Sequence, residues 1–284
     1  MTSTPSSDRI RSLRQRLRDR ARERDEDFQF VLDRFAVERL LYRLSMSHYQ
    51  QQFLLKGAML FAIWFDAPHR PTRDADFLGH GAADPQQLMR IVHDLCAIEL
   101  DDGLQFDMAS VAIDAIREGS HYQGLRMRLC AQLGNARCHV QWDVGFGDAV
   151  PQPPPECDYP VLLDEFPSPR LRVYPREAVF AEKLQAITVL GIANSRMKDY
   201  FDLLALTREG QMAKPALVAA INATFERRGT RWSPALPFGL SETFAGDPQK
   251  QAQWTAFLRR NRLQAEPLDA VVRDISAYVR TLKA

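Results

Sequence analysis

Cysteine is scarce and scattered. Cys96, Cys130, Cys138 and Cys157 form no CxxC pair, which argues against a zinc site and leaves no disulfide framework. Long apolar runs are missing too, and none approaches the roughly 20 residues that a membrane helix needs. The first fifteen residues contain no apolar stretch of the kind a secretory signal carries. A reduced, cytoplasmic protein is therefore expected. Nor is there an excess of one charge, since 37 Lys and Arg stand against 36 Asp and Glu, for a net charge of +1. Whole-chain charge argues neither for nor against a nucleic-acid partner, so only a local basic patch can. No internal repeat is visible. The chain has 284 residues, 45% hydrophobic and 26% charged, which suits one large globular domain or two modest ones.

Residues 9–24 carry eight arginines around a thin apolar stripe of Ile10, Leu13 and Leu17. This pattern predicts a charged helix, either solvated and mobile or an arm that touches nucleic-acid phosphate. Residues 28–47 repeat apolar side chains at helical spacing. A short buried strand is expected at 53–55, a helix at 59–65 stopped by Asp66-Ala67-Pro68, a strand at 72–78 and an amphipathic helix at 85–99. The period then changes to two, which predicts strands at 106–113, 124–133 and 139–144 with a turn at Gly134-Asn135. Residues 151–155 read as a proline-rich surface crossing, and 161–163 and 171–173 as short strands. After Tyr174-Pro175 the pattern is helical, over about 176–190, 196–208, 214–227, 248–260 and 267–282. The expected fold class is α+β, with a helical segment at 1–48, a mixed core at 49–174 and an α-helical domain at 175–284.

The chemistry centres on carboxylates. On the strand 72–78, Asp74 and Asp76 share one face and Ala75 and Phe77 the other. Asp143 lies on the polar face of the strand 139–144, whose opposite face is Val140, Trp142 and Val144. If the two strands are neighbours, three carboxylates converge and raise one another's pKa unless cations neutralise them. Mg²⁺ suits such oxygens together with phosphate, and two ions can activate an attacking oxygen and neutralise a leaving pyrophosphate. The opposing reading makes Asp74-Ala75-Asp76 a turn-end pair and Asp143 a cap or salt-bridge residue. Upstream, Gly57-Ala58 joins a strand to a helix, where free N–H groups favour anions. Arg70 and Arg73 flank the aspartates and are placed to meet phosphates. His69 and His80 read as loop residues, because hard oxygen sites suit Mg²⁺ better than imidazole does.

In the helical half, Lys183 falls inside an apolar arc of Val179, Phe180, Leu184, Ile187 and Leu190, with Glu182, Gln185 and Thr188 outside it. Such a lysine either snorkels to solvent or meets a negative partner. On the next helix Asp199 and Asp202 share a face, and Lys198 and Asp202 form an i,i+4 pair that reads as a surface ion pair.

Five pieces occur in order over residues 53–204. They are Leu55-Lys56-Gly57-Ala58, Thr72-Arg73-Asp74-Ala75-Asp76, Trp142-Asp143-Val144-Gly145-Phe146-Gly147-Asp148, Ala181-Glu182-Lys183-Leu184 and Asn194-Ser195-Arg196-Met197-Lys198-Asp199-Tyr200-Phe201-Asp202. In these the chain resembles the AbiEii/AbiGii toxin family of nucleotidyltransferases, within the DNA polymerase β-like superfamily. The resemblance implies a polymerase β-like core, in which a small mixed sheet carries Asp74, Asp76 and Asp143, and an α-helical C-terminal lobe. It also implies NTP as donor and Mg²⁺ as cofactor. The superfamily's usual Gly-Ser is Gly57-Ala58 here, so no hydroxyl is offered to a phosphate oxygen. The resemblance gives Lys183 a phosphate or carboxylate partner and puts the Arg196–Asp202 segment in the active cleft. Arg196 or Lys198 would hold phosphate there, and Asp199 or Asp202 would either position Lys183 or take part in proton transfer.

The expected activity is therefore transfer of a nucleotidyl group from NTP to an acceptor hydroxyl, with Asp74, Asp76 and Asp143 holding two Mg²⁺ ions. Lys183 and Asp199 join them as catalytic residues, and Gly57, Ala58, Arg73, Lys183, Arg196, Lys198 and Asp202 bind nucleotide. By resemblance, the protein would be the toxin of a type IV toxin–antitoxin or abortive-infection system, with a tRNA 3′ end as acceptor and a cognate antitoxin as partner. Two alternatives remain. One is a modifier of proteins or small molecules by nucleotidylation or phosphorylation, and the other is a nucleotide- or RNA-binding regulator with weak catalysis.

Overall fold

Period-two patterning builds a five-stranded sheet from β1 (Phe53–Lys56), β2 (Asp74–Gly79), β3 (Leu104–Glu118), β4 (Tyr122–Leu133) and β5 (Ala136–Phe146). Their order across the sheet is β1-β2-β5-β4-β3. β2 and β5 run parallel, and every other neighbouring pair is antiparallel. The structure, a computed structural model, describes residues 7–65, 69–118, 122–147, 154–233 and 235–282. The expected helix stop at Asp66-Ala67-Pro68, Asp148 at the end of the Trp142–Asp148 motif and Pro151-Gln152-Pro153 of the proline-rich crossing lie outside the described residues. The chain divides into two compact units, Met1–Tyr174 and Pro175–Ala284.

In the first unit the sheet is apolar on one face. Leu55, Phe77, Val144 and Leu125 form one cross-strand row and are all buried. Trp142 is fully buried beside them, its ring 4.8 Å from that of Phe77. Helix α2 (Phe28–Met46) packs on β5, and α4 (Pro85–Cys96) packs on β3. Asp33 of α2 accepts the backbone N–H of His139 at 2.8 Å, which pins helix to strand.

Neighbours surround α2 so closely that Asp33, Glu38, Arg39 and Arg43 are all buried. Arg43 meets Asp102 through a two-pronged contact at 2.6 and 3.3 Å, both side chains only 2% exposed. Glu38 accepts the N–H of Leu162 at 2.7 Å and lies 3.1 Å from Arg39, without hydrogen-bond alignment to it. Helix α1 (Ser7–Glu23) is docked rather than a mobile arm. Leu13 and Leu17 are fully buried, and Arg9, Arg14, Arg16 and Arg20 bind Asp101, Asn135, Glu165 and the Leu162 carbonyl respectively. The strand expected at 161–163 does not form. Leu162 and Leu163 are buried without a ladder partner, and a small ribbon of β6 (Glu156–Asp158) and β7 (Arg170–Arg172) flanks them instead.

The second unit is helical, with α5 (Arg176–Leu190), α6 (Met197–Glu209), α7 (Lys214–Arg227), α8 (Glu242–Gly246), α9 (Pro248–Asn261) and α10 (Leu268–Thr281). The five-residue α8 is too short to leave a periodic signal and goes unseen in the sequence. Two details of α5 differ from expectation. Leu190 ends the helix exposed, while Gln185 is buried, where it donates to Thr230 and accepts from Arg228. Among the described residues, no helix is long and apolar enough to cross a membrane.

Burial pushes the Glu38 carboxyl from 4.5 up to about 7. The folded state therefore holds a proton that the unfolded state has released. The resulting stability is fully present below pH 4.5 and is lost as pH rises through 7. Replacing Glu38 with Gln removes that term. Urea unfolding between pH 4.5 and 8 is expected to show wild type losing about 2–3 kcal/mol relative to Glu38→Gln across this window. Parallel pH profiles for the two proteins would contradict the assignment.

Candidate active site

Register decides what gathers on the polar face of the sheet. Lys56 of β1 pairs with Asp76 of β2, Asp76 with Asp143 of β5, Asp143 with Arg126 of β4, and Arg126 with Asp114 of β3. Paired residues in adjacent strands point to the same side, so these five form one row, with Asp74 and Gln141 in the next row. The three aspartates expected to converge are on one face and half-buried. Beneath them lie Ala75, Phe77, Trp142 and Val144, all buried, which fix the strands that carry them.

Asp143 is not an isolated anion. Arg126 grips it with both prongs, Nε to Oδ1 at 2.8 Å and Nη2 to Oδ2 at 2.6 Å, and Gln141 donates to Oδ1 at 3.2 Å. That bidentate fork is the strong form of a charge-assisted hydrogen bond. Hydrogen bonding to Asp143 raises the Arg126 pKa, and the charges of Asp143, Asp74 and Asp76 add to it. The guanidinium thus sits in the field of all three carboxylates. At the other end of the row, the Lys56 ammonium stands 4.8 Å from the centre of the Tyr174 ring.

Gly57 follows β1 directly and adopts φ +68°, in the left-handed region. A Cβ there would lie 1.9 Å from Oδ2 of Asp76. Glycine is thus required twice, for the turn and for the approach of backbone to carboxylate. The helix expected at 59–65 is a 3₁₀ turn, Gly57–Leu60, leading into one α-turn, α3 (Phe61–Trp64). Such a short stretch carries little macrodipole, so any anion here would depend on individual N–H groups. Ala58 is buried. Arg73 is exposed, with its guanidinium 6.0 Å from the Phe30 ring.

The second unit holds a separate charged cluster. Lys183 of α5 lies 3.0 Å from Asp199 and 2.7 Å from Asp202 of α6. Neither aspartate is exposed at all, and Lys183 is 12% exposed. Lysine in the apolar arc therefore meets carboxylates rather than snorkelling. Asp202, whose i,i+4 spacing from Lys198 could also mark a surface ion pair, is buried, and Lys198 itself is exposed. Arg196 Nε lies 2.7 Å from Asp199 Oδ2, an ion pair outside hydrogen-bond alignment. Asn194, also buried, accepts the N–H of Arg196 at 2.9 Å and shapes the entry to α6.

Donor chemistry on the sheet suits a hard divalent cation, since Asp74, Asp76 and Asp143 offer only carboxylate oxygens. Among the described residues, no three Asp, Glu, His or Cys side chains stand grouped around a metal position. Both oxygens of Asp143 are on Arg126. The set therefore fits such a cation in kind, although Asp143 is engaged by a guanidinium here.

Arg126 escapes notice in the sequence, although a signal exists. A two-residue turn, Gly134-Asn135, pairs Leu133 with Ala136. Seven residues out along each strand the pairing reaches Arg126 and Asp143.

Two stability tests follow from this geometry. Gly57→Ala is expected to cost about 1–3 kcal/mol from backbone strain and contact with Asp76. Part of that loss should disappear in a background of Asp76→Ala, because the clashing atoms are those of the carboxylate. Strict additivity in that double-mutant cycle would refute the contact. Lys183→Met strands two buried carboxylates and is expected to cost about 3–5 kcal/mol in urea unfolding. A loss below 1 kcal/mol, on the same principle, would mean that the cluster is more open than described.

Comparison with known proteins bears on the fold and on the family. The crystal structure of JHP933 from Helicobacter pylori shares the fold, at a TM-score of 0.51 and 13% identity, over 90% of this chain and 92% of that one. A second structure from H. pylori, described only provisionally as a nucleotidyltransferase, reaches a TM-score of 0.48 at 14% identity, over 86% of this chain and 90% of that one. None of the curated proteins matches. The family model for the AbiEii toxin, a nucleotidyl transferase of type IV toxin–antitoxin systems, matches residues 39–279. That span takes in Asp74, Asp76, Asp143 and Lys183 alike, and this chain belongs to the AbiEii family.

Proposed function

We propose that the protein is a Mg²⁺-dependent nucleotidyltransferase that moves a nucleotidyl group from an NTP to an acceptor hydroxyl and releases pyrophosphate. The observation that carries this reading is the register of β2 and β5, which sets Asp76 opposite Asp143 with Asp74 on the same face. A cross-strand carboxylate pair over an apolar floor is hard to explain as a stabilising device, since like charges opposite one another repel. In a member of the AbiEii family it makes sense as a metal cradle in a polymerase β-like core.

Asp74, Asp76 and Asp143 would hold two Mg²⁺ ions. When bound, the metal neutralises charge on the α-phosphate and favours ionisation of the acceptor hydroxyl. Gly57 and Ala58 would offer backbone N–H groups to the triphosphate, without the serine hydroxyl usual in the superfamily, and Arg73 would add charge at the exposed edge. From the helical unit, Lys183, Arg196 and Lys198 would bind phosphate. Asp199 and Asp202 would hold Lys183 in place, a role supported by their 3.0 and 2.7 Å contacts with it. The acceptor we favour is the 3′ end of a tRNA, and the partner a cognate antitoxin, both from family membership.

Incubation with each α-³²P-labelled NTP, Mg²⁺ and total RNA tests the proposal. Label is expected at RNA 3′ ends with wild type, and to fall at least about 10²-fold with Asp74→Ala, in keeping with loss of a metal ligand. Label on protein instead would make the enzyme a protein modifier. Equal labelling by wild type and Asp74→Ala would overturn the site.

A further inference from the structure

We infer that Arg126 is an exchangeable counter-ion that occupies Asp143 until a nucleotide's phosphates draw it off, so that metal entry at the third carboxylate is coupled to nucleotide. The inference rests on the transferase reading above and goes beyond it. Family membership assigns no role to Arg126.

Geometry carries the argument. Asp74, Asp76 and Asp143 face the same side of the sheet, and both oxygens of Asp143 are taken by one guanidinium. A cation bound there by Asp143 competes with that guanidinium, because the fork and Gln141 already occupy three of the roughly four lone-pair sites of the carboxylate and the guanidinium charge repels a second cation. The pair is also placed for exchange, with side chains 40% exposed for Arg126 and 20% for Asp143. Half-exposed pairs are held far less tightly than fully buried ones. A guanidinium fork matches phosphate as well as it matches carboxylate. Arg126 thus has an equivalent partner when a triphosphate arrives, and Asp143 has one when a divalent cation arrives. Each exchange replaces one ion pair with another and leaves no charge stranded.

Neighbours on the face supply the contrast. Arg128 lies on the same strand and face but pairs with Asp114, outside the aspartate trio. If Arg126 were only a cross-strand brace, its loss would lower stability and leave metal binding alone. As a counter-ion it must weaken metal binding in the absence of nucleotide, and nucleotide must relieve that weakening. Linkage then requires the metal to raise nucleotide affinity by the same factor.

Titration of the full-length chain with Mn²⁺, followed by the electron paramagnetic resonance of the free ion, separates these cases. The variants are Arg126→Gln, Arg126→Lys, Arg128→Gln and Arg126→Gln combined with Asp143→Asn. Without nucleotide, Arg126→Gln is expected to bind Mn²⁺ roughly tenfold more tightly than wild type, the size of one charge-assisted contact. Arg128→Gln, which removes the same charge from the same face, should stay near wild type. The gain should vanish in the double variant, which lacks the freed carboxylate. A non-hydrolysable NTP analogue should raise Mn²⁺ affinity more in wild type than in Arg126→Gln. Arg126→Lys, which keeps the charge but not the fork, should fall between the two and serves as the test if the Gln variant does not fold.

Equal Mn²⁺ affinity in wild type and Arg126→Gln would overturn the inference. So would an equal gain in Arg128→Gln, which would mark a general charge effect. Failure of wild type to bind Mn²⁺ even with the analogue would instead count against the transferase reading itself.

Discussion

Repulsion among Asp74, Asp76 and Asp143 is the constraint around which the first unit is arranged. Parallel pairing of β2 with β5 brings the second and third of these into direct opposition. Their separation cannot relax, because Phe77 and Trp142 anchor the same strands in the core from the other face. The sheet answers by flanking the pair with opposite charge in the same row, Lys56 beside Asp76 and Arg126 beside Asp143. Backbone is fitted as closely as charge, for only a glycine can pass beside Asp76 at the end of β1.

The helical unit meets a similar problem differently. Asp199 and Asp202 are wholly buried and share Lys183. Removing either sign there leaves an uncompensated charge out of water, so the arrangement is rigid. Helix α2 of the first unit follows the same rule, with Arg43 on Asp102. On the open face of the sheet, Arg126 and Asp143 keep contact with solvent and so can trade partners. Burial thus sorts the ion pairs into fixtures and exchangeable parts.

Much of this was legible in the sequence. Period two puts Asp74 and Asp76 on one face of β2 and Asp143 on the polar face of β5, and the apolar arc of α5 singles out Lys183 as a residue that must snorkel or meet an anion. Asp199 and Asp202 were readable as sharing a face, but their full burial was not, because a helical face shows no depth until its neighbours are known. The docking of α1 was also hidden. Its stripe of Ile10, Leu13 and Leu17 is narrow, and the arginines around it read as solvated until Asp101, Glu165 and the Leu162 carbonyl come near in space. The two leucines at 162–163 looked like a strand because apolar runs bury in ladders and loops alike. Arg126 is the instructive case, since hairpin register from the turn at Gly134-Asn135 sets it opposite Asp143.

That register gives the hairpin tip a second role. Gly134, at φ +65°, starts a turn that lies seven residues from the Arg126–Asp143 pair, about 23 Å of strand. Ile10 of α1 packs so close to it that a Cβ on Gly134 would come within 2.8 Å. A slip of one residue at this tip would turn Arg126 into the apolar layer and bring Met127 or Leu125 up beside the aspartates. The charge pattern of the site is therefore kept in phase from its far end, and α1, which carries none of the proposed chemistry, serves as the clamp on the ruler that measures it.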